Sequence, residues 1–295
     1  MSITAAMVKD LREKTAAGMM DCKKALTECD GDMEKAVDWL RQKGLSKAAK
    51  KAGRATSEGL VGFELAADGK SGVAVEVKCE TDFVARGDKF QGFLKVMVAQ
   101  VAKGEYADSE ALLAAPFVAD ASVTVKEALD GVIATTGENM GLGKFAKMEL
   151  AAGKSGLIGG YLHSNGKLAV LVEMQTGSDA AAASEAFHEV AKNVAMQIAA
   201  ASPLAVSAEG LNPEVVEHER EVYRQKAREE GKPEQIIEKI AEGAVKKFCK
   251  DVCLLDQLYI RDDKMTISDL IKGAAKTIGE PITVVRFVRI QLGAE

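Results

Sequence analysis

The stretch EGLVGFELAADGKSGVAVE, Glu58 to Glu76, returns as SGLIGGYLHSNGKLAVLVE, Ser155 to Glu173, at a constant offset of 97 positions and with no gap. Gly59, Gly62, Leu65, Gly69, Lys70, Val75 and Glu76 fall on Gly156, Gly159, Leu162, Gly166, Lys167, Val172 and Glu173. The register holds onward, with Asp82, Phe90, Gln100, Val101 and Ala102 on Asp179, Phe187, Gln197, Ile198 and Ala199. Each copy therefore predicts the same unit: an apolar strand, a turn, a second strand, then a long helix. The turns are Asp68-Gly69 and Asn165-Gly166, strong hairpin signals because both central residues of such a turn need positive φ. The helices, near 88–102 and 184–200, place apolar residues at helical spacing, as in Phe187, Val190, Ala191, Val194 and Ile198.

A second match closes the unit. VTVKEALDGVIATTGENMGLGKFAKMEL, Val123 to Leu150, lies over MTISDLIKGAAKTIGEPITVVRFVRIQL, Met265 to Leu292, at an offset of 142. Thr124, Gly131, Gly137, Glu138, Phe145 and Leu150 meet Thr266, Gly273, Gly279, Glu280, Phe287 and Leu292. Each copy thus ends in a helix and a third strand. The growth of the offset from 97 to 142 means that the second copy carries 45 more residues. They are identified with PEVVEHEREVYRQKAREEGKPEQIIEKIAEGAVKKFCK, Pro213 to Lys250, two charge-rich helices broken at Gly231-Lys232-Pro233. This antiparallel hairpin is either a solvated pair packed on the body or an arm for dimerisation or partner contact. Its apolar stripe, Val215, Val216, Val222 and Tyr223 facing Ile236, Ile237 and Ile240, is sparse.

Ahead of both copies, residues 1–45 read as three short helices, over 3–13, 20–29 and 32–43, with Asp30-Gly31-Asp32 and Lys43-Gly44 as punctuation. Between the first two, KTAAGMMDCKKAL carries adjacent Met19 and Met20, at least one of which must point outward. Methionine is unbranched and polarizable, suited to an adaptable contact. Residues 46–57 form a basic segment with Lys47, Lys50, Lys51 and Arg54, read as a solvated linker or as a contact to an acidic partner or RNA phosphates. The fold class expected is α+β: a helical bundle, the linker, a first unit over 58–152 and a second over 153–295, each unit with a three-stranded antiparallel sheet.

Composition narrows the function. With 47% apolar and 28% charged residues and a net charge of −5, the chain is an ordinary globular protein and not, as a whole, a nucleic-acid binder. It has no run of about eighteen apolar residues and a charged start, so a cytoplasmic location and no membrane contact are expected. Five scattered cysteines fit reduced thiols. The histidines His163, His188 and His218 lack any triad or metal spacing, Cys249-x-x-x-Cys253 lacks a second ligand pair, and neither a phosphate loop nor a dinucleotide fingerprint occurs. A binding protein without metal, cofactor or covalent chemistry is the better class.

The duplication provides an internal control, since positions shared by both copies serve the common fold. In VKCETDFVARGDKF, Asp82 matches Asp179, but Phe83 falls on Ala180 and Arg86 on Ala183; in the other direction, His163 falls on Ala66. The fold requires neither the ring nor the imidazole, so Phe83 is expected to face outward.

TDFVAR after a strand, together with LREKTAAGMMDCKKAL near the start, closely resembles the elongation factor Ts family, over essentially the whole chain. The resemblance implies an N-terminal domain similar to ubiquitin-associated domains and a guanine nucleotide exchange factor for elongation factor Tu. It implies that Thr81, Asp82, Phe83 and Val84 reach the nucleotide-binding domain of that GTPase, with the ring wedging between helices near its magnesium site. Leu11, Arg12, Met19 and Met20 grip the same domain, and His163 meets another. Two departures from the family pattern are Gly87, where many members have Asn, and an end at QLGAE without the extra helix some members use. The alternative is a ubiquitin-associated-like adaptor or a ribosome-associated RNA binder acting through the bundle and the basic segment.

Overall fold

The computed structural model describes residues 3–15 and 17–294, apart from the side chains of 45–47, among them Lys47 of the basic segment. Three helices open the chain: α1 (Ala5–Thr15), α2 (Met19–Glu28) and α3 (Met33–Ala49). Val8, Leu11, Cys22, Ala25, Leu26 and Ala36 form their small core. α3 does not stop at Gly44 as the sequence suggests. That glycine is buried inside the helix, where an added Cβ would come within 3.5 Å of the Ala134 side chain. It is a point of close approach rather than a terminator.

The first unit follows: β1 (Glu58–Leu65), β2 (Ser71–Cys79), α4 (Asp82–Arg86), α5 (Asp88–Lys103), α6 (Ser109–Ala114), β3 (Pro116–Phe117), β4 (Asp120–Thr124), α7 (Val125–Thr136) and β5 (Met140–Glu149). The second repeats it as β6 (Gly156–Leu162), β7 (Leu168–Thr176), α8 (Asp179–Ala182) and α9 (Glu185–Ala201). After the inserted α10 (Pro213–Glu229) and α11 (Glu234–Val252) come β8 (Leu258–Tyr259), β9 (Asp262–Thr266), α12 (Ile267–Ile278) and β10 (Ile282–Gln291). The sheets are three-stranded and antiparallel, as the repeat predicts, and their strand orders are β1-β2-β5 and β10-β7-β6. The small hairpins β3–β4 and β8–β9 were not legible in the sequence. Equivalent buried glutamines hold them: Gln100 accepts from Val118 N at 2.6 Å and donates to Pro116 O at 3.1 Å. Gln197 does the same with Ile260 N at 2.9 Å and Leu258 O at 3.2 Å.

The central strands β2 and β7 are buried along nearly their whole length because both faces are covered. Val73, Val75 and Val77 pack under α5, while Ala74 joins Val61, Met148, Ile158, Ala169, Leu171 and Ile290 in a layer between the two sheets. Burying apolar surface on both sides supplies the main stabilisation of the pair, at about 25 cal/mol per Å2. Reciprocal backbone bonds lock the units: Val61 N donates to Gly166 O and Ile158 N to Gly69 O, both at 2.8 Å. The two turn glycines have the same positive φ of 68°. Two buried carboxylates lie in this layer. Glu76 accepts from Lys144 N at 3.0 Å and from Gly293 N at 2.8 Å, and Glu173 pairs with Arg286 Nε at 2.7 Å.

In the inserted hairpin the expected stripe is corrected. Val215, Val222 and Ile236 are exposed, whereas Ile237 is buried together with Ala227, Ala241 and Val245, and Val216, Tyr223 and Ile240 are half-buried, so only part of the stripe lies in the seam. Arg224 reaches across to Glu238 with two bonds of 2.8 and 3.0 Å.

Candidate functional site

The candidate site is built at the end of β2. Thr81 sits in extended conformation (φ −130°, ψ 155°) and caps α4, its hydroxyl accepting from Val84 N at 3.4 Å. α4 is a single turn and cannot be stable by itself. It is held by its inner side, where Ala85 is buried and Val84 packs on the first unit's core, and by Gln91, whose amide donates to Ala85 O at 2.7 Å. Asp82 pairs with Arg86 at 3.0 Å along the outer side. Between them Phe83 projects with 84% of its surface exposed, an unusual place for a phenyl ring on a well-anchored turn.

The other copy builds the same turn without the ring. There Ser178 caps α8, accepting from Ala181 N at 3.2 Å, and Ala180 stands at the ring's position. In the first copy the Glu138 carboxylate accepts from Thr81 N at 3.0 Å and from Thr81 Oγ at 2.6 Å. Beneath the turn, burial first and then the nearby Glu138 charge push the Cys79 thiol up to about 11. Its Sγ donates to Thr81 O at 3.1 Å. Glu80 is held below the ordinary carboxylate range, chiefly by the Asn139 N–H at 2.5 Å and then by Arg54.

Arg12, Met19 and Met20 come together in an open groove beside Ile3, Val8, Lys9 and Lys23, and Lys89 from the first turn of α5 completes its wall. The N-terminal module and the segment that follows Phe83 therefore border one surface. Met19 and Met20 are 59% and 73% exposed, since α2 begins at Met19 and neither side chain points into the bundle. Leu11 is a correction: it has no exposed surface and packs in the bundle core with Cys22 and Leu26, away from the groove's lining. His163 lies apart, exposed in the turn between β6 and β7, with Nδ1 3.0 Å from the Tyr161 hydroxyl. Lys23 and Lys89 were missed. They come from two separate elements, and no spacing in the sequence announces their meeting.

Of the basic segment, Arg54 is paired with Glu80 at 3.4 Å, which reduces its availability to phosphates. Among the described residues no cluster of three or more His, Cys, Asp or Glu side chains is placed to hold a metal ion, and no helix is long and apolar enough to cross a membrane.

Comparison with known proteins gives a single answer. The family model described as Elongation factor TS matches residues 80–294. The chain is 57% identical to Elongation factor Ts of Lawsonia intracellularis over 100% of both chains. It is 59% identical to that of Nitratidesulfovibrio vulgaris strain DP4, over 100% of this chain and 97% of the relative. To the Clostridium novyi protein of the same name it is 49% identical, over 99% of this chain and 93% of the relative.

Proposed function

Because this chain belongs to the elongation factor Ts family, whose members are translation elongation factors, we propose that it is a cytoplasmic guanine nucleotide exchange factor that binds elongation factor Tu and drives GDP release. The observation that carries this reading is Phe83: a ring exposed at 84% on a turn anchored from below, where the sister copy has alanine. In this mechanism Asp82 and Phe83 enter the nucleotide-binding domain of the GTPase, and the ring disturbs the segments that hold phosphate and magnesium. The groove of Arg12, Met19 and Met20 holds the same domain, and the second unit, through the His163 turn, holds another.

No covalent step is needed. If the factor weakens GDP binding by a given ratio, GDP weakens the factor by the same ratio. Burial of one phenyl side chain gains about 1.5–3 kcal/mol, so the ring acts with a broad interface that keeps the GTPase in its strained form. The charges at the groove, Lys9, Arg12, Lys23 and Lys89 with one acid, Glu13, suit an acidic partner surface.

The test is release of a fluorescent GDP from elongation factor Tu with wild type and with Phe83→Ala. Strong acceleration by the wild type that falls at least tenfold in the variant is expected; equal rates for the two proteins remove the wedge.

A further inference from the structure

The turn that carries Phe83 is clasped more tightly than its duplicate, and the difference lies in one small constellation. In both copies a helix ends at a glycine in left-handed conformation, Gly137 with φ 82° ending α7 and Gly279 with φ 83° ending α12. The chain reversal there sends the next side chain, Glu138 or Glu280, back toward the strand-to-helix turn.

From this point the copies diverge. Glu138 uses both oxygens on Thr81, one on the backbone N–H and one on the hydroxyl. Glu280 uses one, accepting from Ser178 Oγ at 2.7 Å, while its Oε2 is buried with no partner. The first copy then adds a second tie, because Glu80 accepts from Asn139 N at 2.5 Å. The second copy has Gly177 and Pro281 at those two positions, so it lacks both the carboxylate and the N–H.

Asn139 extends the clasp, its side-chain amide donating to Arg54 O at 2.7 Å. The added ties thus occur in the copy with the exposed ring and are missing from the copy with alanine. A shared fold requirement would have placed them in both.

We infer that Glu138 and Glu80 are positioning residues for exchange: they fix the Thr81 cap so that α4 presents Phe83 in one orientation before the partner arrives. This rests on the exchange reading above. The physical basis is preorganisation, since a ring on a loose single turn would have to be ordered during insertion. Hydrogen bonds to an ionised carboxylate are about twice as strong as neutral ones, which suits them to hold a turn too short to hold itself.

The experiment measures GDP release from elongation factor Tu at rising concentrations of wild type, Glu138→Gln, Thr81→Val, Thr81→Ser, Glu80→Ala and Glu280→Gln. Amide hydrogen exchange of residues 82–86 is followed in the same proteins. Glu138→Gln and Thr81→Val should lower the maximal rate about tenfold, and Glu80→Ala about threefold, with half-saturating concentrations within about twofold of wild type. Thr81→Ser, which keeps the hydroxyl, should restore what Thr81→Val loses. Amides 82–86 should exchange faster in Glu138→Gln and Glu80→Ala and at the wild-type rate in Glu280→Gln, whose GDP release should also match wild type.

Wild-type maximal rates in both Glu138→Gln and Glu80→Ala would overturn the inference. An equal loss in Glu280→Gln would also overturn it, by reducing the effect to general destabilisation. If Glu138→Gln does not fold, Thr81→Val and Glu80→Ala decide the matter. A wild type that fails to accelerate release rejects the exchange reading itself, and the positioning role with it. A failure confined to the clasp variants leaves that reading intact.

Discussion

At the scale of single residues, the phenyl ring and the thiol behind it are opposites. Phe83 is left in water by a turn that buries Ala85 and half-buries Val84. Truncating an anchor of this kind commonly costs 2 kcal/mol or more, about thirtyfold in an equilibrium, and the Phe83→Ala loss in exchange should be of that order with the thermal midpoint unchanged. Cys79 is the converse, a buried thiol pushed up to about 11 by its surroundings. At pH 8 its thiolate fraction is about a hundredfold below that of an ordinary thiol. Mass spectrometry after brief iodoacetamide treatment of the native protein should find Cys79 unmodified, and rapid labelling there would show that the turn opens.

Legibility in the sequence follows the same division. Phe83 was found because the duplication supplied alanine for comparison. Leu11 was misplaced because a motif taken from a resemblance carries identity without direction, and only packing against Cys22 and Leu26 shows that it points inward.

At the scale of elements, what the sequence revealed was local and what it hid was contact between elements. Asp68-Gly69 and Asn165-Gly166 marked the places of their hairpins, but the expected turn is corrected, since in each pair only the glycine takes positive φ; Thr124 and Thr266 stand at helix starts where each forms a capping box. The extension of α3 through Gly44 was hidden, because a glycine that admits Ala134 looks the same in sequence as one that ends a helix. The face-to-face contact of the sheets was hidden as well, since the repeat announces two like sheets and not that they cover each other. The turns carry a test of their own. Gly69 and Gly166 share a φ of 68° and offer their carbonyls to the other unit. Alanine at either position should cost about 1–2 kcal/mol through backbone strain. In a protein of this size that lowers the thermal midpoint by several degrees. A neutral Gly69→Ala and Gly166→Ala pair would mean that these turns impose no left-handed strain on alanine.

At the scale of the whole molecule, the N-terminal module and the two units are joined by charged groups that answer to acid. Arg41 of α3 pairs with Glu127 of α7, which also closes the capping box at Thr124. Glu127 is held below the ordinary carboxylate range by the Thr124 backbone N–H first and Arg41 next. Asp269 is held low chiefly by the Thr266 hydroxyl. Groups whose folded values are depressed contribute stability that is present above their ordinary values, 4.5 for Glu127 and 3.8 for Asp269, and is lost as pH falls through the depressed ones. The thermal midpoint should therefore be level from neutrality to about pH 5 and fall below it. Glu127→Gln should have a lower midpoint at pH 7 and a shallower fall, and a parallel acid profile would exclude Glu127 as a contributor.

The layer between the sheets also governs how the chain reaches this state. Glu76 finds one of its two backbone donors 217 residues away, at Gly293, and the paired turns are joined across about half that span of sequence or less, from Val61 to Gly166 and from Gly69 to Ile158. Each unit has a core of its own, but the layer between the sheets draws on both, so loop-closure entropy has to be overcome before that layer forms. Closure of that layer should therefore come late: on a translating ribosome the first unit is expected to keep one sheet face uncovered until the second has emerged to cover it.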